Sequence, residues 1–342
     1  MTYPGTLLKS SNLFARKELG QNFLADPKAA ERIVNLAQIS KNDVVLEIGA
    51  GLGAITVHAA KHAAKVYAVE KDDRLIQLLK DELSEASVDN VELIHKDIFK
   101  VDIESIAKEM ANINCKEVYI SNENETVKSC GTEPKIIVIG NLPYNISSQV
   151  LLMLVEKRTL IAKAILMFQK ELAERICSPP GGKDYGRLSA IMQYCSRVKT
   201  LTDVGANLFF PKPNVESRVI EVNFFQTSSS YNSNLSKPAG DGNIDSSSNS
   251  DSSSKLYSDS YNLSPEQEHL LFQVIKAAFS KRRKTLRNAI SSSELKIDKS
   301  LTEKGLELAR IDPERRAETL DVAEFIDLTL SFWHLHFGVY KG

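Results

Sequence analysis

Cysteine is scarce in this chain of 342 residues, and it is poorly placed for chemistry. Cys115, Cys130, Cys177 and Cys195 form no CxxC pair, and no histidines stand at zinc-ligand spacing. That pattern supports neither a disulfide framework nor a metal site, and it fits a reducing cytoplasm. Long apolar runs are also missing. The N-terminus lacks the apolar core of a signal peptide, and no stretch approaches the roughly 18 apolar residues of a membrane span. A soluble cytoplasmic protein with no membrane partner is expected. Neither sign of charge is in excess: Lys and Arg number 43 against 44 Asp and Glu. No global field would draw the protein to a polyanion, so any nucleic-acid face must come from local clustering.

What is present suits a catalytic domain with a smaller companion, since the length exceeds that of one small domain. From Asn42 onward short apolar runs alternate with helical stretches. Strands are expected at Asp43–Ile48, Lys65–Val69, Val91–His95 and Lys135–Ile139, and helices from Ala54 to Lys61 and from Asp73 to Leu83. Right-handed crossovers between such strands give an α/β fold with a doubly wound parallel sheet. Two segments interrupt the rhythm. Residues 109–134 are polar with little periodicity and read as an insertion before the fourth strand. Between Ser228 and Ser260 lie fourteen serines with almost nothing apolar, so residues 226–263 cannot offset their ordering entropy by burial and are expected to form a disordered linker.

After the linker, Ser264-Pro265-Glu266-Gln267 combines a capping residue, proline at the first helical position and glutamine three residues after the cap. Leu270, Leu271, Val274, Ile275, Ala278 and Phe279 then recur at helical spacing, and Asp321-Val322-Ala323-Glu324 repeats the capping box. Three parts are therefore expected: residues 1–225, the linker, and a small helical domain over 264–342.

Glu47-Ile48-Gly49-Ala50-Gly51-Leu52-Gly53 follows the first strand and opens a helix. Gly49 and Gly51 would let backbone amides approach a ligand at the carboxyl edge of the sheet. The turn also fits a nucleotide pattern, GxGxxA, or a plain glycine turn. Glu70 ends the second strand about twenty residues on, where a carboxylate can accept both hydroxyls of a ribose; a simple surface glutamate is the alternative. Asp97 ends the third strand, placed either to accept from an adenine amine or to cap a helix. Features at three successive strand ends, with no basic anchor for a pyrophosphate, favour S-adenosylmethionine over NAD.

Gly140-Asn141-Leu142-Pro143-Tyr144 follows the fourth strand. An adenine amine delocalises its lone pair into the ring, so methylating it requires acceptors that hold the amine and pyramidalise it. The Asn141 side-chain oxygen and the Leu142 carbonyl could do so, with Tyr144 offering an aromatic face to a base taken out of its stack. A strand-to-helix turn ending in proline is the plainer alternative. Further on, Lys281, Arg282, Arg283, Lys284 and Arg287 put five cations on about two helical turns, with Leu286 and Ile290 continuing the apolar stripe of Phe279. Such a run is a solvated face or a set of phosphate contacts for structured RNA.

With these motifs the chain resembles the ribosomal RNA adenine N6-dimethyltransferase family. The likeness runs from Lys17–Leu24 through Glu47–Gly53, Glu70, Asp97, Asn141–Tyr144 and Phe209–Ser217, and resumes at Ala278–Asn288 and Asp312–Leu320. The resemblance implies a Rossmann-like class I methyltransferase sheet with S-adenosylmethionine as cofactor. The implied activity is N6-dimethylation of two adjacent adenosines near the 3′ end of small-subunit (16S) rRNA, by a monomer acting on a pre-ribosomal particle. It implies that Asn22 and the Leu24 backbone join Gly49, Gly51, Glu70, Asp97 and Asn141 around the cofactor, and that Phe209 stacks a flipped adenine against Tyr144; without the resemblance, Phe209 reads as core. A large-subunit adenine methyltransferase of the macrolide-resistance type shares the catalytic motifs. The signatures around Phe279–Asn288 and Arg315–Glu318 favour the small-subunit branch. A non-catalytic assembly or mitochondrial transcription factor is opposed by the intact Asn141–Tyr144 motif and the lack of an arginine-rich transit segment. A NAD-dependent oxidoreductase is a more distant reading. The family is usually compact where this chain carries its two insertions.

Overall fold

The computed structural model describes residues 2–114, 135–225, 263–281 and 283–337. The serine-rich linker and most of the polar insertion lie outside the described residues. Chain order begins with α1 (Pro4–Ser10), the two-residue strand β1 (Phe23–Leu24) and α2 (Pro27–Ala37). Asp26 starts α2 by accepting from the Ala29 amide at 2.9 Å, with proline next in the chain. There follow β2 (Val44–Ile48), α3 (Ala54–His62), β3 (Lys65–Glu70), α4 (Asp73–Glu85), β4 (Val91–His95) and α5 (Ile103–Asn114). After the insertion come β5 (Ile136–Asn141), α6 (Ser147–Glu156), β6 (Ile161–Gln169), α7 (Lys170–Cys177) and α8 (Arg187–Cys195). The strands β7 (Ser196–Val204), β8 (Phe209–Phe210) and β9 (Ser217–Phe224) complete this part.

Seven strands form the main sheet in the order β4-β3-β2-β5-β6-β9-β7. Pairings from β4 through β6 are parallel, whereas β9 runs antiparallel to β6. The sheet is thus mixed where a parallel one was expected, because the apolar pattern of a doubly covered strand does not encode direction. All five residues of β2 are buried, as befits a central strand covered on both faces. From β2 the chain winds outward through β3 and β4, then crosses back to β5 on the other side. The carboxyl ends of β2 and β5 therefore flank the point where strand order reverses, where open α/β sheets leave a crevice.

By its contacts the chain divides into two units, residues 1–174 with 198–224, and residues 175–197 with 225–342. Arg175–Arg197 thus belongs with the second unit, although it precedes the linker in sequence. The reason is packing: Tyr194 meets Phe272 edge-on at 5.9 Å and its hydroxyl donates to Glu268 at 2.9 Å. The second unit also holds α9 (Pro265–Ala278), α10 (Leu286–Ser291), α11 (Lys299–Leu308) and α12 (Val322–Phe337). Both expected capping boxes form. Ser264 and Gln267 exchange bonds of 2.8 and 3.3 Å, and Asp321 and Glu324 exchange bonds of 3.0 and 2.9 Å. Gly305 lets the Phe332 ring lie against α11, since a Cβ there would stand 2.2 Å from that ring.

Two segments differ from the sequence reading. The polar stretch read as irregular from residue 109 is still helical to Asn114, as α5. The basic run does not sit on continuous helix: α9 ends at Ala278, and Lys281, Arg283 and Lys284 lie in a turn before α10 begins at Leu286. Ser280 and Lys284 close that turn through their backbone amides, which donate to the Ala277 and Lys281 carbonyls. Among the described residues no helix is long and apolar enough to cross a membrane.

Candidate active site

The first unit carries a cleft at the carboxyl ends of β2, β3 and β5, lined by the N-terminal segment Glu18–Leu24, the glycine turn, Glu70, Asp97 and Asn141–Ile146. The turn after β2 needs its glycines. Gly49, Gly51 and Gly53 have φ of 77°, 58° and 88°, a left-handed conformation that costs a residue with a Cβ about 1 kcal/mol or more. At Gly51 a Cβ would also press on the Phe23 ring at 3.1 Å.

Glu70 ends β3 beneath this turn and is 7 % exposed. Its Oε2 accepts from the Gly51 amide at 2.8 Å, and its Oε1 accepts from the amides of Lys71 and Asp72 at 2.8 and 2.7 Å. Burial pushes the carboxyl above its usual range, against the pull of those three bonds. Deeper still lies Glu47, 1 % exposed, whose Oε2 is buried without a partner. Burial raises it to about 7; the negative charge of Glu70 adds to the rise and Thr56 opposes it. Asp97 follows β4 at the same edge of the sheet. It lines the cleft, it caps the short turn Ile98–Lys100 by accepting from the Phe99 amide at 3.2 Å, and it pairs with Lys71 Nζ at 2.8 Å. That ion pair holds its carboxyl below the usual range.

On the other side of the cleft, β5 must approach β2 closely. A Cβ at Gly140 would stand 2.7 Å from the Ile48 carbonyl oxygen, which explains the glycine before Asn141. Asn141 Nδ2 donates to the Asn22 carbonyl at 2.9 Å, which turns the amide so that Oδ1 remains an acceptor. Asn22 bonds by its side chain to the Gly20 carbonyl at 3.2 Å. Leu142 is buried at 1 %, Pro143 lines the cleft, and the half-buried Tyr144 shares a 3.0 Å hydroxyl bond with Ser217.

Phe209 stands in β8, beside the N-terminal segment. The β1 and β8 strands pair antiparallel, Leu24 opposite Phe209, and the Phe209 ring is 4 % exposed in the main apolar cluster. It does not line the cleft; its environment is the core that its neighbours in sequence suggested. The basic run also separates by role. Arg283 and Lys284 are exposed, Lys281 is exposed and donates to Ser292 at 3.0 Å, and Arg282 lies outside the described residues. Arg287 is ion-paired, at 3.4 Å with Glu303 and 2.8 Å with Glu314. The sequence reading missed Gln21, Asp72 and Ser217, single polar residues with partners distant in the chain, and Arg74, which holds Asp72 from two residues away.

A family model described as ribosomal RNA adenine dimethylase matches residues 12–236. The chain belongs to that family. A ribosomal RNA small subunit methyltransferase A of Desulforapulum autotrophicum is 52 % identical over 98 % of each chain, and one of Alkaliphilus oremlandii is 35 % identical over 90 % of this chain and 88 % of its own. Among solved structures, a dimethyladenosine transferase from Plasmodium falciparum has the same fold, with a TM-score of 0.62 and 24 % identity over 91 % of this chain and 97 % of its own. As a member of the family the chain is an S-adenosylmethionine-dependent rRNA adenine dimethyltransferase. The cleft fits that cofactor. It offers a glycine-cradled approach and the buried Glu70 carboxyl, and its lining carries Glu18, Glu47, Glu70 and Asp97 against Lys71 and Lys96, a balance that suits a cationic ligand.

Proposed function

We propose that the chain dimethylates N6 of two adjacent adenosines near the 3′ end of small-subunit rRNA in a pre-ribosomal particle, acting as a cytoplasmic monomer. S-adenosylmethionine, when bound, supplies an electrophilic methyl group. Gly49, Gly51, Glu70 and Asp97, with Asn22 and the Leu24 backbone, hold that cofactor; Glu70 accepts from the ribose hydroxyls and Asp97 from the adenine amine. Asn141 Oδ1 and the Leu142 carbonyl accept the two N–H bonds of the target amine and draw it out of the ring plane. Pro143 stiffens the turn that presents them, and Tyr144 stacks on the extruded base. Arg283 and Lys284, with Lys281, contact RNA phosphates. The observation that carries the reading is Asn141. Its amide nitrogen is spent on Asn22, 119 residues away, which leaves an oriented acceptor at the mouth of the cofactor cleft.

The test is incubation of the protein and labelled cofactor with undermethylated small subunits and, in parallel, with large-subunit rRNA, with methylated adenosines mapped by mass spectrometry. Dimethylation of two adjacent adenosines near the 3′ end is expected. Label confined to large-subunit rRNA would overturn the choice of target. Absence of label on any rRNA would overturn the enzymatic reading.

A further inference from the structure

The segment from Asn12 to Asn22 has little regular structure, yet it is tied down on both sides of the cleft. On the β5 side, Asn145 Nδ2 donates to the Glu18 carbonyl at 3.2 Å and Asn141 Nδ2 to the Asn22 carbonyl at 2.9 Å. On the β3 side a single carboxylate takes it. Asp72 Oδ2 accepts from Gln21 Nε2 at 2.8 Å, and Oδ1 lies 3.6 Å from Arg16 Nη1. Arg74 grips the same carboxylate with Nε at 2.9 Å and Nη2 at 2.6 Å. Gln21 also closes the segment on itself, since its Oε1 accepts from the Arg16 amide at 2.8 Å and its own amide donates to the Arg16 carbonyl at 3.2 Å.

Asp72 begins α4 by accepting from the Arg74 amide. A cap alone needs neither burial nor three side-chain donors, and Asp72 is 1 % exposed. Enclosed in this way, the charge is poorly screened and holds its partners strongly. Burial would raise its carboxyl, but the bonds from Arg74 and Gln21 outweigh burial and hold it down to about 2, so it is ionised at neutral pH. The backbone of the same residue faces the cofactor carboxylate, because the Asp72 amide donates to Glu70 Oε1 at 2.7 Å.

We propose that Asp72 is a positioning residue that clasps the 16–22 segment across the cleft and thereby couples the placement of Glu70 to that of Asn141. The inference rests on the reading of those two residues given above. Its consequence is a reciprocal linkage: whatever orders the segment raises cofactor affinity, and cofactor binding orders the segment.

Two variants of the full chain test this. Asp72→Asn keeps the size and the helix cap but removes the charge. Gln21→Met removes the segment's hydrogen bond to the clasp while leaving the Arg16 ion pair, the cap and Arg74 in place. Trypsin cleavage after Arg16 and Lys17 and hydrogen exchange over 16–22 are followed with and without S-adenosylmethionine, and cofactor affinity is measured by calorimetry. In the unaltered protein the cofactor is expected to slow cleavage about fivefold or more, and each variant to be cut faster and to bind cofactor about tenfold more weakly, within the usual range of such couplings. Should Asp72→Asn fail to fold, Gln21→Met alone decides the matter. Folded Gln21→Met protein with unchanged affinity and unchanged cleavage would overturn the clasp. Glu70→Ala is run alongside: if it binds weakly while the clasp variants bind normally, only the coupling fails, and if it too binds normally, the placement of the cofactor fails with it.

Discussion

Glu47→Gln replaces a buried carboxyl that has an unpartnered oxygen, and the variant is expected to be more stable than the parent at alkaline pH. Burial raises Glu47 from the ordinary value of 4.5 to about 7. Between those two pH values the folded chain retains a proton that the unfolded chain has released, so stability falls as pH rises through the window and stays low above it. At about 1.4 kcal/mol per pH unit of separation, the full loss comes to about 3 kcal/mol. Glutamine has nearly the same shape and never ionises, and its side-chain amide can face Thr56 as the carboxyl does. The variant should therefore match the parent near pH 4.5 and exceed it by up to about 3 kcal/mol near pH 8, equivalent to about 6–12 °C in melting temperature for a unit of this size. The assay is thermal unfolding of both proteins in steps from pH 4.5 to 8.5. Parallel profiles, or a variant less stable at pH 8, would refute the claim that Glu47 bears an uncompensated charge. A carboxyl kept at such a cost in the wall of a cofactor cleft is the pattern expected where function opposes stability.

Asn141→Ala should lower single-turnover methylation at saturating RNA on the order of a hundredfold, because an acceptor for the target amine is lost; full rescue by saturating RNA would make Asn141 a binding contact instead. Charge reversal at Arg283 and Lys284 should weaken RNA affinity and flatten its salt dependence while cofactor affinity, read by calorimetry, stays unchanged. Gly140→Ala should destabilise the first unit, since its Cβ would meet the Ile48 carbonyl at 2.7 Å; a melting temperature within a degree of the parent would show that β5 can shift at no cost. Phe209→Ala should cost about 3–5 kcal/mol of stability as a core truncation, whereas the half-buried Tyr144→Ala should lose turnover first. A Phe209→Ala protein that is stable but inactive would restore the stacking role.

The strands β2 to β5, the glycine turn, both capping boxes and the positions of Glu70, Asp97 and Asn141 were legible in the amino-acid order alone, because each depends on neighbours within a few residues. Alternation of apolar runs, φ > 0 at glycines and side chains capping their own helix are local physics, and they can be read without knowing the fold. The antiparallel course of β9 was not readable, since pairing direction leaves no mark on an apolar strand. Nor was the pairing that encloses Phe209: its neighbours read as core, but β8 meets β1 across 185 residues of chain, Leu24 opposite Phe209. The split of the basic run needed Glu303 and Glu314 to be brought to Arg287, leaving Arg283 and Lys284 exposed. Asp72 shows the division most sharply: its sequence neighbours reveal a helix cap, but Arg16 and Gln21 reach its carboxylate only when the N-terminal segment is laid over the sheet. Tertiary structure decides such matters because a charge's energy depends on what surrounds it in space, whichever part of the chain supplies it.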